Sequence, residues 1–150
     1  MSDDFLVVIP ADPAAELPPT AEDIRTALAR LAGSDESRVK DYGKLQFIDA
    51  GTNFESAACP ACAGALDKEL WHSWMDSDWH GEDGFHLHTH RMLCCGAEVT
   101  LNDLVYHLPQ GFARWFVSAR NPNRGPLTPE EVAELENLAG LRLIAIAQHY

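Results

Sequence analysis

The side chains richest in chemistry are four cysteines in two clusters, Cys59-Pro60-Ala61-Cys62 and Cys94-Cys95-Gly96, separated by 31 residues. Two thiolates three positions apart on a tight turn can reach one metal ion from the same side. The small residues that follow, Ala63 and Gly64, leave backbone amides free to donate to sulfur. The second cluster carries a geometric condition. Neighbouring residues of a regular strand point to opposite faces, so Cys94 and Cys95 both reach one ion only from a turn, which Gly96 permits. Where one of them faces away, His90 is the nearest substitute in sequence for the fourth ligand.

These residues resemble the zinc-ribbon and rubredoxin-type knuckle, in which Cys-Pro-x-Cys is followed closely by glycine. The resemblance is confined to the two clusters, and it departs from the pattern in its adjacent cysteine pair and in a spacer longer than the ~15 to 20 residues of a compact ribbon. It implies a structural zinc ion held by Cys59, Cys62, Cys94 and Cys95, with no position left for water or substrate. Such an ion contributes on the order of 10 kcal/mol to folding. The alternatives are a disulfide or buried free thiols. An acidic chain without an export signal is a poor host for structural disulfides, and a Cys94–Cys95 bridge would close a strained eight-membered ring. Two tight clusters also differ from the scatter expected of cysteines used as small hydrophobes.

Five of the seven histidines fall between residues 72 and 90, accompanied by Asp76, Asp78, Glu82 and Asp83. Strand alternation through Phe85-His86-Leu87-His88-Thr89-His90 puts His86, His88 and His90 on one face. Histidine with carboxylate is the ligand set of catalytic zinc and non-haem iron, so a metal-dependent hydrolase or oxygenase is one reading. The other is the solvent face of a half-buried strand, and no His-Glu-x-x-His spacing selects between them. Leu66, Leu70 and Trp74, with Trp71 and Met75 alongside, share a helical face and predict a short helix over 66–76 packed on the cysteine module. Asp49, Asn53 and Glu55 lead into the first knuckle, where they could orient metal ligands or simply close a strand-end turn.

The charge balance narrows the partners. The chain of 150 residues has 23 acidic and 11 basic side chains, a formal charge of −12. The middle fifty residues, which hold every cysteine, are the most acidic third, with eight acids against two bases. That segment would repel a nucleic-acid backbone, so a nucleic-acid-binding ribbon is disfavoured and a protein partner with a basic surface is favoured. No stretch approaches the ~20 apolar residues of a membrane span. The apolar run near the start follows acids rather than the bases of a signal peptide, which predicts a cytoplasmic chain.

The elements that must position these groups read as one α+β domain with a mixed or antiparallel sheet. Phe5–Ile9 is a short buried strand closed by Pro10. Thr20 and Asp23 resemble a capping box opening a helix over 21–32, with Ile24, Leu28 and Leu31 on one face and Gly33 as its stop. Residues 34–43 are polar and read as a loop, and Lys44–Ala50 alternates as a strand. Residues 56–97 form the zinc-knuckle module. Residues 99–108 are mixed, Phe112–Ala119 is a strand, and Thr128-Pro129-Glu130-Glu131 opens a helix over 129–139 that ends at Gly140. Residues 141–150 suit either a closing strand or helix. No phosphate loop or nucleophile elbow is present. The expectation is a non-catalytic cytoplasmic binding or adaptor protein, of the kind that neutralises a basic toxin or enzyme, built on structural zinc.

Overall fold

Continuous apolar residues suit a strand covered on both faces, and the first such run in the chain occupies an inner position of the main sheet. In the computed structural model, which describes residues 3–51 and 56–150, that run is β1 (Asp4–Pro10). Leu6 and Val8 face one layer, while Val7 and Ile9 face the other. Then come α1 (Ala21–Ala32), β2 (Ser37–Ile48), β3 (Ala57–Ala58), α2 (Lys68–Asp78), β4 (His90–Arg91), β5 (Glu98–Val99), β6 (Val105–Tyr106), β7 (Gly111–Arg120), α3 (Pro129–Ala139) and β8 (Leu143–His149).

The four long strands form one antiparallel sheet in the order β2-β7-β1-β8. With α1 between β1 and β2, and α3 between β7 and β8, this is the split β-α-β, or ferredoxin-like, topology. Both helices lie on the same face and pack on Leu6, Val8, Trp115 and Val117. Each fully buried large side chain there contributes about 1.5 to 3 kcal/mol. Arg30 of α1 pairs with Glu134 of α3 at 2.6 Å on the rim. The chain is a single α+β domain, and its sheets are antiparallel throughout.

Helix α1 runs over the expected residues and stops at Gly33, whose φ of 65° is left-handed. Its start differs from the expected capping box. Thr20 Oγ1 makes no cap hydrogen bond and is buried without a partner among the described residues, while the Thr20 carbonyl accepts from the Ile24 amide at 3.0 Å. Helix α3 does have the full box. Thr128 Oγ1 accepts from the Glu131 amide at 3.3 Å, and Glu131 reaches back to the Thr128 amide at 2.8 Å.

Three other stretches depart from the expectation or decide it. Residues 34–43, expected as a loop, enter β2 at Ser37. As an edge strand whose long pairing is with β7, β2 can be polar along its solvated side, and its register shifts between Asp41 and Gln46 around left-handed Gly43. Residues 143–149 are the other edge strand, paired with β1 over seven positions. Residues 99–108 are neither one strand nor one helix. A turn held by Asp103, whose carboxylate accepts from the Thr100 amide at 2.7 Å, separates β5 from β6.

The cysteine region is an excursion between β2 and β7, which are themselves paired neighbours. It carries the two-stranded pairs β3-β6 and β4-β5, helix α2, and a core of its own around Trp71, Trp74, Met92, Leu101 and Leu104. Phe47 of β2 and Phe112 of β7 join that core, with ring centroids 5.0 Å apart. Phe47 also meets Trp71 and Tyr106, each at 5.7 Å. Helix α2 begins two residues later than expected, capped by Asp67, and buries Trp71, Trp74 and Asp78.

Candidate metal centre

The first knuckle is a closed turn directly after β3. The Cys59 amide donates to the Gly64 carbonyl at 2.8 Å, the Ala63 amide donates to the Cys59 carbonyl at 2.9 Å, and the Ala61 amide points at Cys59 Sγ at 3.4 Å. Gly64 is needed for close approach. A Cβ there would lie 3.1 Å from Cys94 Cβ and 3.3 Å from the sulfurs of both Cys62 and Cys94. The second knuckle is the tip of the β4-β5 hairpin. Met92 and Ala97 pair across it, the Gly96 amide closes onto the Met92 carbonyl at 2.9 Å, and Gly96 has a φ of 74°. Cys94 and Cys95 therefore lie on a turn, not in a strand.

One sulfur from each cysteine comes within 4.8 Å of all the others. Cys59 and Cys95 are 3.7 Å apart, Cys62 and Cys94 3.2 Å, and Cys94 and Cys95 3.9 Å. A tetrahedral ion with bonds of about 2.3 Å has sulfur–sulfur edges of about 3.8 Å, so the donor set and its spacing fit a four-thiolate site. All four cysteines are free thiols, far beyond the ~2.05 Å of a disulfide. Burial pushes the Cys59 thiol up, but the amides of Cys62 and Ala61 and the thiols of Cys95 and Cys62 outweigh it and bring it down to about 7. Cys94 moves the other way, to about 12, chiefly through its contact with Cys62 and secondarily through burial. Four thiols this close cannot all ionise without a cation among them.

His90 lies outside this group. Its ring stacks on Trp74 with centroids 4.4 Å apart and planes 12° off parallel, and its Nε2 is buried without a hydrogen-bond partner among the described residues. Burial holds its pKa below the usual imidazole range, against the pull of Asp78. Asp49 closes a strand-end turn. Its carboxylate accepts from the Gly51 amide at 3.1 Å and from the Tyr150 hydroxyl, and no hydrogen bond links it to a cysteine. Asn53 and Glu55 lie outside the described residues.

The expected strand of histidines does not form. Residues 86–89 are irregular, Leu87 has a φ of 56°, and only His90 enters a strand, so His86, His88 and His90 do not share a strand face. The cause is Asp78, completely buried at the end of α2. Its carboxylate accepts from the amides of His86 at 3.1 Å, Leu87 at 2.8 Å and His88 at 2.6 Å, folding the segment around itself. This turns the His86 and His88 rings toward His80. His80 and His86 stack with centroids 3.7 Å apart, and the Nε2 atoms of His80 and His88 are 2.8 Å apart. One nitrogen from each of the three lies within 4.8 Å of the others, and all three side chains are exposed. Sequence spacing does not reveal His80 as a member, because the turn that brings His86 and His88 to it is set by Asp78, which in the sequence is spelled like any other nearby acid.

No protein-family model, curated protein or solved structure matches the chain. Among the described residues, no helix is long and apolar enough to cross a membrane.

Proposed function

We propose that this is a non-catalytic cytoplasmic binding protein whose four-cysteine centre holds structural zinc and pins an acidic, aromatic module for a protein partner with a basic surface. The observation that carries the reading is the convergence of four thiols from two knuckles at near-tetrahedral separations. Thiolates favour zinc or iron, and zinc is preferred because the chain offers no further redox group beside them. Four protein ligands close the coordination sphere, so the ion supplies stiffness rather than an open position for substrate.

The module also displays what a partner would meet. Leu93, at the hairpin tip beside Cys94, is 85% exposed, and Trp79 at the end of α2 is 41% exposed. The same module carries five exposed acids, Asp67, Glu69, Asp76, Glu82 and Asp83, against Lys68 and Arg91, and the Lys44 ammonium lies over the Trp79 ring at 5.6 Å. Exposed apolar side chains on a predominantly acidic module suit an interface in which charge steers and the apolar groups anchor. Metal analysis of the purified chain should give one tightly held zinc, retained when His80, His86 and His88 are changed together to alanine. Partner capture by the immobilised chain should weaken as ionic strength rises and fail in a Leu93→Asp, Trp79→Ala variant. Capture indifferent to both salt and these substitutions would count against the reading.

A further inference from the structure

We propose that His80, His86 and His88 form a second metal site, separate from the cysteines, which takes a late first-row divalent ion such as Zn2+ and leaves part of its coordination sphere open to solvent. The juxtaposition is built, not incidental to an exposed loop. Gly84 turns the chain with a φ of 71° in a position where a Cβ would strike the Leu45 carbonyl oxygen at 2.4 Å. The Phe85 amide donates to that same carbonyl at 3.1 Å, fastening the segment to β2. From the other side, Asp78 holds the backbone of residues 86–88 through three amide hydrogen bonds while itself fully buried. The two anchors fix the backbone on either side of the imidazoles, and His80 leaves the end of α2 directly opposite.

The donor chemistry matches the arrangement. Three imidazole nitrogens within 4.8 Å of one another, without a carboxylate among them, form a facial set of the kind that catalytic zinc sites use together with water. Imidazole suits Zn, Cu, Ni and Fe rather than Mg or Ca. Because all three side chains are exposed, the remaining positions of the ion face water, in contrast to the closed set of four sulfurs.

The test uses the full chain with its cysteine site already loaded, titrated calorimetrically with Zn2+ alone. The expected result is one further equivalent, taken up more weakly than the first, with the imidazole nitrogen resonances of His80, His86 and His88 moving together in long-range proton–nitrogen spectra. Each of His80→Ala, His86→Ala and His88→Ala should reduce the second affinity at least tenfold while leaving the first zinc and the near-ultraviolet dichroism unchanged. His90→Ala should leave the second affinity within twofold. Asp78→Asn, a change in a positioning residue, should weaken only the second site. No further uptake by the loaded wild-type chain, or a second equivalent that survives the three alanine substitutions together, would overturn the proposal.

Discussion

At the scale of single residues, two glycines in the knuckles serve different physical needs. Gly64 lies against the sulfurs, so Gly64→Ala must push Cys94 or Cys62 aside. Gly96 has open space around its missing Cβ but a φ of 74°. Gly96→Ala should therefore cost only the left-handed backbone penalty, about 1 kcal/mol. The expected outcome is a clear loss of metal affinity for Gly64→Ala and a modest fall in melting temperature with affinity nearly unchanged for Gly96→Ala, read by competition with a chromophoric chelator. Asp78 gives a second test. Removing its carboxylate strands three amides, so Asp78→Ala should destabilise the module by about 3 kcal/mol in denaturant unfolding. The cysteines were legible because thiolate chemistry is written in spacing, whereas Asp78 was not. Its role lies in backbone amides eight to ten residues away, and any carboxylate has the same spelling whether it is solvated or buried.

At the scale of elements, α3 and α1 show how a cap is and is not read from sequence. Thr128 and Glu131 form the box that their spacing predicts, and Arg124 then grips the Glu131 carboxylate with two nitrogens. Thr128→Ala should cost about 1 kcal/mol. The Arg124 guanidinium, followed by the Thr128 amide, holds Glu131 far below its ordinary range, at about 2. A depressed carboxylate stabilises the fold above its unfolded value near 4.5 and loses that contribution as pH falls toward 2. Glu131→Gln should therefore lower the melting temperature at pH 7, and the gap from wild type should close progressively between about pH 4.5 and pH 2, as thermal scans across that range would show. Thr20 and Asp23 have similar spelling without the bonds, because Thr20 has φ −89° and ψ 12° where Thr128 has the extended backbone that aims a capping hydroxyl at the helix amides. Strand β2 was hidden for a related reason. Ser37-Arg-Val-Lys-Asp-Tyr-Gly is polar enough for a loop, and only pairing with the apolar β7 makes it a strand.

At the scale of the whole molecule, the chain has a sheet-and-helix core around Trp115 and a separate module core around Trp71 and Trp74. The first needs no metal. The second is small, its strand pairs β3-β6 and β4-β5 are two residues each, and its two knuckles meet at the sulfurs and where Gly64 lies against Cys94. Stripping a metal ion held by the four thiolates should remove on the order of 10 kcal/mol from the module alone. Hydrogen exchange after chelation should show amides of residues 57–66 and 90–99 losing protection while those of β1 and β7 keep theirs, and cooperative loss everywhere would refute that division. The α+β class and both flanking helices were legible from periodicity and stop signals. The strand order was not, since it depends on which edges meet in space.

Ile48 and Gly111 are direct partners across β2 and β7, and beside them the Gln110 side chain accepts from the Ala50 amide at 3.0 Å, while residues 49–51 remain tied to β8, where the Ala50 carbonyl accepts from the His149 amide at 3.2 Å. In effect a hairpin tip has been replaced by a head with a core of its own. A shortened chain joining those two positions through a tight turn, with Phe47 and Phe112 made polar, should keep the four-stranded sheet. The head, carried on any host hairpin with the same pair spacing, should travel with its metal chemistry intact.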